Sequence, residues 1–407
     1  MKSSFYSIFL TVLLLSFSSI SNAELIQVLQ ITRHGARTPS AFEFKPNQYP
    51  HTAGELTSLG KIQQYHLGQE MRQRYVNKFK FISQDFDSSE VVIKSSGKPR
   101  VVESALSFIN GLYPQTETKG MMIENPYFHD SLIDKILPHS ERHNDIDALS
   151  MKNIKVDLEW AEKILHVIPM ENDMFFHADQ GKNCPLVNKK LKALKKSEKI
   201  QNLEKIFKQG VYPQIVDVIN SALNTDRLSV DSLDIVTAKR VLDNHRCNTF
   251  HNLESPSFNQ TTLKLLEDLR HTLIYQILYK DHSVKSVAVS QLLQEFHNYI
   301  HKRLHHNEGP KYIIYSAHDH NIEALFSILL EESLLEDRKY FMVEFASTFT
   351  IEVHSDDSQK DVYYLKFLYN DEILPIKWCE SNHCSINEFY KIIQTFVISD
   401  LHHVCNV

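Results

Sequence analysis

The sequence predicts an α/β protein, a mostly parallel sheet with helices on both faces and a helical insertion in the middle. Three observations predict it. Two strand–helix pairs follow one another before residue 115, another strand–helix junction lies near residue 317, and the stretch between reads as helices with polar joints.

The elements follow in order. Residues 24–32, "ELIQVLQIT", read as a short apolar strand, with "RHGARTP" at its C-terminal end. Leu56, Leu59, Ile62, Tyr65, Leu67 and Met71 then recur at roughly helical spacing behind Thr57, a good N-cap, and predict a helix over about 58–77. "EVVIKSS" is a strand, and "KPRVVESALSFINGL" a second helix stopped by Gly111 and Pro114. From about 130 to 275 no strand is expected, which sets a helical insertion or cap at 131–274 between the halves 24–130 and 275–407 of a discontinuous α/β core. The six lysines of 189–199 read as the solvated face of an amphipathic helix, with a lipid- or substrate-steering surface as the lesser alternative. Helices at about 262–279 and 288–306 precede a strand at 311–316, then Ala317-His318-Asp319 and a helix beginning near Asn321. "STFTIEVHS" and "DVYYLKFLYN" alternate as the two strands of a hairpin. There is no internal repeat and no low-complexity segment.

Composition narrows the function. The 407 residues are 42% hydrophobic and 23% charged with a net charge of −6, ordinary globular material with no overall attraction to nucleic acid or anionic membranes. Any anion site must be local. Residues 1–23 read as a secretory signal peptide: Lys2, an apolar run shorter than the roughly 20 residues that span a bilayer, and "SNA" ending at Ala23. No later stretch predicts a transmembrane helix. Export to the outside or to a lysosome-like compartment makes the five cysteines disulfide material with one left over. Cys379 and Cys384 are close enough to close a small loop, while Cys184, Cys247 and Cys405 cannot be paired from spacing. Asn259 heads the one glycosylation sequon found. His301, His305 and His306 could bind zinc by spacing, but without an HExxH motif or nearby cysteines they read as an exposed helix end. No metal and no cofactor are expected.

Three strand-to-helix junctions carry the chemistry: Arg33 to Arg37, Arg100, and His318-Asp319. The carboxyl ends of parallel strands line one rim, so these segments can converge although far apart in sequence. They supply three guanidinium groups, two imidazoles and one carboxyl. Guanidinium forks match the oxygens of a phosphate monoester in pairs and offset its charge. A neutral imidazole offers a lone pair to phosphorus, and a protonated Asp319 could supply the leaving alcohol's proton. Singly, each residue is more often a turn, core or surface residue. The Arg-His-Gly-x-Arg-x-Pro pattern at a strand end is more specific.

"RHGARTP" resembles the signature of the histidine acid phosphatases, and the likeness extends to "GELTSLG", "IKSSGKPRVVESALSFINGLYP", "YIIYSAHD" and "FASTFTIEV". It spans most of 25–115 and 240–385, is weakest in the helical insertion, and points to the lysosomal and prostatic branch. The resemblance implies a phosphoglycerate-mutase-like core. It makes His34 the nucleophile, Arg33, Arg37, Arg100 and His318 the phosphate ligands, and Asp319 the proton donor. It implies Cys184–Cys405 and Cys379–Cys384 disulfides with Cys247 free, although a rival pairing through Cys247 stays open. Lys94 and "GKP" before Arg100 depart from the pattern near the rim. The expected partner is a small-molecule phosphate monoester; a homodimer is allowed. The alternatives are a phytase or lysophosphatidate phosphatase on the same scaffold, or a phospho-ligand-binding protein without activity. A mutase fits less well, because that branch lacks this His-Asp pair.

Overall fold

The computed structural model describes residues 23–40, 49, 52–114, 121–124, 153–171, 173–223, 226, 228–255, 257–356, 359 and 361–405. Nearly all of the expected signal peptide, 1–22, lies outside them, as do 125–130 of the expected core and 131–152 of the expected insertion.

In chain order the strands are β1 (Leu25–Arg33), β2 (Val91–Ser96), β3 (Met121–Glu124), β4 (Asn153–Val156), β5 (Leu165–Ile168), β6 (Tyr312–Ala317), β7 (Thr348–Ser355), β8 (Tyr363–Tyr369), β9 (Glu372–Ile373) and β10 (Cys384–Ser385). The main sheet runs β10-β8-β7-β1-β6-β2-β5, with β9 beside β8. β1, β6, β2 and β5 are parallel neighbours, while the β7–β8 hairpin joins β1 antiparallel.

Strand alternation builds two cores. Val28, Ile93, Tyr312 and Ile314 pack with Leu67, Met71, Leu106 and Ile109 of two helices, α1 (Ser58–Met71) and α2 (Pro99–Leu112). Leu29, Ile31, Ile313 and Tyr315 face the opposite layer, with Phe296 and Ile300 of the helix His282–His306 and Ile322 and Phe326 of the helix Asp319–Leu329. Successive side chains point to opposite faces, so one central strand buries itself on both sides. The sheet thus carries helices on both faces, as predicted.

Thr57 caps α1, accepting from the Gly60 amide at 3.2 Å. The chain continues helically with wider turns over Arg72–Lys78. α2 does not stop at Gly111 but runs to Leu112 and ends at Tyr113, whose backbone leaves the helical region ahead of Pro114. Gly111 serves helix contact instead: a Cβ there would sit 1.9 Å from the Tyr65 carbonyl oxygen, and one at Gly68 would sit 2.1 Å from that of Phe108. α1 and α2 therefore touch backbone to backbone.

One expectation fails between 130 and 275, a stretch expected to hold no strand. β4 pairs antiparallel with β3, and β5 extends the main sheet alongside β2. The run "EWAEKILHVI" satisfies a helical period until Ile164, where the helix Leu158–Ile164 gives way. Four apolar and polar residues fit either period, and the open edge of β2 decides for strand. From Pro185 to Leu278 the regular elements are helical. The lysine-rich expectation resolves into two helices, Pro185–Lys195 and Glu198–Gly210.

Cys184 is bonded to Cys405 and Cys379 to Cys384, and Cys247 is a buried free thiol. Asn259 is exposed at the start of the helix Gln260–His271, where its side chain accepts from the Thr262 amide at 2.8 Å. Among the described residues no helix is long and apolar enough to cross a membrane.

Candidate active site

The parallel register brings the predicted residues together. Arg33, the last residue of β1, lies beside Ala317, the last of β6, and Ser95 of β2 lies beside Ser316. The segments after β1, β2 and β6 therefore leave one rim. The His34 amide donates to the Ala317 carbonyl at 3.0 Å. Beyond it the chain presses on the start of α1. A Cβ at Gly35 would fall 2.3 Å from the Gly60 carbonyl oxygen, so only glycine passes. The Gly35 and Ala36 amides are held by Ser104 Oγ and Gln63 Oε1, both at 3.1 Å.

His34 is buried, 2% exposed. Its Nδ1 lies 2.9 Å from the Gly35 carbonyl oxygen. A carbonyl only accepts, so Nδ1 carries the proton and Nε2 keeps its lone pair. Burial, then the charges of Arg100, Arg33 and Arg37, hold the imidazole pKa well below its ordinary 6.5. Neutrality is thus enforced by the same cations that would hold an anion.

The three arginines differ. Arg33 is fully enclosed, donating to the Val343 carbonyl at 2.6 Å and pairing with Asp319 at 3.2 Å, its guanidinium 4.3 Å from the Phe345 ring centre. Arg37 meets Asp243 through both terminal nitrogens, at 2.8 and 3.2 Å, and its Nη1 approaches Cys247 Sγ at 3.6 Å. Burial alone would lower the Arg37 pKa, but the Asp243 carboxylate outweighs it and the pKa is raised. Arg100 has no carboxylate partner among the described residues, only the Gly54 carbonyl at 3.5 Å. Burial and then Arg37 pull its pKa down to about 10, so it stays charged.

His318 follows β6, buried, with Nε2 3.2 Å from Ser96 Oγ. Its pKa is also depressed, by burial, then His320 and His34. Burial would raise the Asp319 pKa, yet Arg33 and then Arg270 hold it well below the carboxylate range. All six predicted residues therefore converge, with one feature the sequence did not suggest: the flanking guanidinium groups favour the ionised form of Asp319.

Sequence reasoning missed the supporting residues. Asp243 clamps Arg37 and also accepts from the Ser40 amide and hydroxyl, at 3.1 and 2.9 Å. Arg270 bridges Asp319, at 3.3 Å, and buried Glu323. His177, held by Asp173 at 2.8 Å, sets its ring 4.8 Å from that of His318. Each sits within a helix or turn that reads as ordinary polar sequence, and no local signal marks it. A cavity of about 500 Å³ opens beside this cluster, with Arg37, Asp243, Arg270 and Asp319 on its wall.

The family model described as the histidine phosphatase superfamily (branch 2) matches residues 24–370. The chain belongs to that superfamily. Among relatives of this histidine phosphatase, prostatic acid phosphatase of Bos taurus is 23% identical over 414 residues, 97% of this chain and 92% of the relative. Lysosomal acid phosphatase of Homo sapiens is 21% identical over 393 residues, 93% and 80% of the two chains. The structure of the phytase of Klebsiella sp ASR1 shares the fold, with a TM-score of 0.62 and 14% identity over 93% of this chain and 98% of that one.

Proposed function

We propose that this histidine phosphatase is an acid phosphatase that hydrolyses phosphate monoesters through a phosphohistidine on His34. The observation that carries the reading is the neutral His34, its Nδ1 proton tied to the Gly35 carbonyl and its Nε2 lone pair free among Arg33, Arg37 and Arg100. A binding protein needs the arginines but not a nucleophile kept neutral beside a carboxylate. The acid phosphatase relatives support the same activity.

In this reading Arg33, Arg37, Arg100 and His318 take the phosphate oxygens. His34 Nε2 attacks phosphorus, the ester P–O bond breaks, and the leaving oxygen takes a proton from Asp319. Water then attacks the phosphohistidine, Asp319 accepts the water's proton, the N–P bond breaks, and phosphate leaves. Asp319 acquires its first proton on substrate binding. The phosphate takes up the field of Arg33 and brings negative charge beside the carboxylate, which raises its pKa. A site that must hold this proton works best in acid, as in an exported or lysosomal setting behind the signal peptide read at 1–23. No metal or cofactor enters any step. Stretch 131–274 acts as the cap, contributing Asp243 and Arg270 to the site, with β5 as its loan to the sheet.

The test is His34→Ala assayed on phenyl phosphate near pH 5. The expected loss is on the order of 10³-fold or more with the thermal transition preserved. Background turnover by the wild-type enzyme would overturn the reading.

A further inference from the structure

The cavity beside the catalytic cluster has an excess of positive charge. Its wall carries the carboxylates Asp243, Asp319 and Glu323. All three are already engaged: Asp243 by Arg37 and Ser40, Asp319 by Arg33 and Arg270, and Glu323 by Arg270. Arg246, also on the wall, pairs with Glu344 at 3.0 Å. Two further cations line the same cavity from the helix Ile235–Phe250, Lys239 and Arg240. Neither is ion-paired among the described residues.

Lys239 is exposed and stands on the cavity wall. Crowding by the protein around it, then the Arg270 guanidinium, lower its pKa, against the opposing pull of Asp319, Glu323 and Asp243. Asp243 lies one helical turn on, at i+4, and its two oxygens are both taken by Arg37. A lysine paired with a neighbouring carboxylate would be ordinary surface decoration. One that shares a cavity with Arg37 and Asp319, next to an unpaired arginine, is set to meet an anion that enters from outside.

We propose that Lys239, with Arg240 beside it, binds a second anionic group of the substrate, so that preferred esters carry a carboxylate or second phosphate beside the scissile one. The inference rests on the phosphatase reading. The scissile phosphate belongs to Arg33, Arg37, Arg100 and His318. The second group lies toward the helix Ile235–Phe250 and selects the substrate without taking part in bond making. Anionic oxygens receive ammonium and guanidinium donors in charge-assisted hydrogen bonds, strongest where the cavity limits water.

The experiment compares kcat/KM for 4-carboxyphenyl phosphate and 4-(phosphonomethyl)phenyl phosphate with that for the neutral 4-carbamoylphenyl phosphate. The wild-type enzyme is expected to favour one or both anionic esters by roughly tenfold. The two arms tell a carboxylate subsite from a phosphate one. In Lys239→Ala/Arg240→Ala the ratio should fall toward unity, and Lys239→Arg should retain most of it. No preference in the wild type, or a preference that survives the double variant, overturns the proposal. Failure of the wild type to hydrolyse any of the three esters instead overturns the phosphatase reading, and this one with it.

Discussion

His34 and Asp319 are both held without a proton, and Arg33 contributes to each. Burial, then the arginines around His34, disfavour its protonation, so its neutral form persists in acid well below the ordinary histidine pKa. Arg33 and Arg270 keep Asp319 ionised, and in the proposed reaction it gains its proton only with substrate bound. The consequence is a pH profile displaced to acid: the acid limb follows the depressed His34, and the alkaline limb follows loss of the Asp319 proton in the substrate complex. Asp319→Asn should slow phosphorylation of His34 most for alkyl phosphates, whose leaving group needs the proton, and least for 4-nitrophenyl phosphate. Rapid-quench rates across a leaving-group series check this; an equal loss for every ester would contradict the donor role. The identities of these residues are legible in the sequence because each lies in a short motif at a strand end. Asp243, Arg270 and Glu323 are not, since a carboxylate or guanidinium inside an amphipathic helix carries no mark of what faces it.

Helix periodicity tells where α1 and α2 run but not how closely they approach. Gly68 and Gly111 are the contact, with carbonyl oxygens standing where their Cβ atoms would be. Gly111→Ala must push two backbones apart, and a loss of about 1–3 kcal/mol of stability is expected, seen as a lowered Tm. Gly210→Ala, with nothing within 4 Å of its Cβ position at the end of the helix Glu198–Gly210, serves as the control and should leave Tm unchanged or slightly raised. The separation matters for function because α1 begins against the His34 loop and α2 carries Arg100 and Ser104. β5 shows the converse limit of sequence patterning. Leu165–Ile168 continues an apolar pattern that suits a helix, and only an unpaired neighbouring strand edge turns it into sheet.

At the scale of the whole molecule, acid tolerance is a property of buried ion pairs far from the rim as well as near it. Glu352 of β7 accepts from Arg74 at 2.6 Å and from the Tyr75 hydroxyl at 3.0 Å. Burial would raise its pKa, but His354 and Arg74 bring it down to about 2. A carboxylate depressed from 4.5 contributes stability that is complete above the unfolded value and is lost as pH falls through the folded one. The buried histidines add to this in the same direction, beginning higher: His34 and His318 resist protonation that the unfolded chain accepts below about 6.5. Thermal stability should therefore decline gently below about pH 6.5 and more steeply below about 4.5, as the carboxylates protonate. Glu352→Gln should flatten the lower limb. Scanning calorimetry from pH 7 down to about 2.5 checks it, and a Tm rising toward acid would contradict the sign.

By itself the sequence determined the α/β class, the strand–helix rhythm and the six residues of the candidate site. These are local matters: periodicity, caps, and short motifs at three strand ends. The tertiary structure alone decided what each charge faces. Parallel register brought the ends of β1, β2 and β6 to one rim. Packing of the helices Ile235–Phe250 and Gln260–His271 against that rim then set Asp243 on Arg37 and Arg270 on Asp319. Electrostatic interaction depends on distance through space and on exclusion of water, and neither is written in the order of residues along the chain.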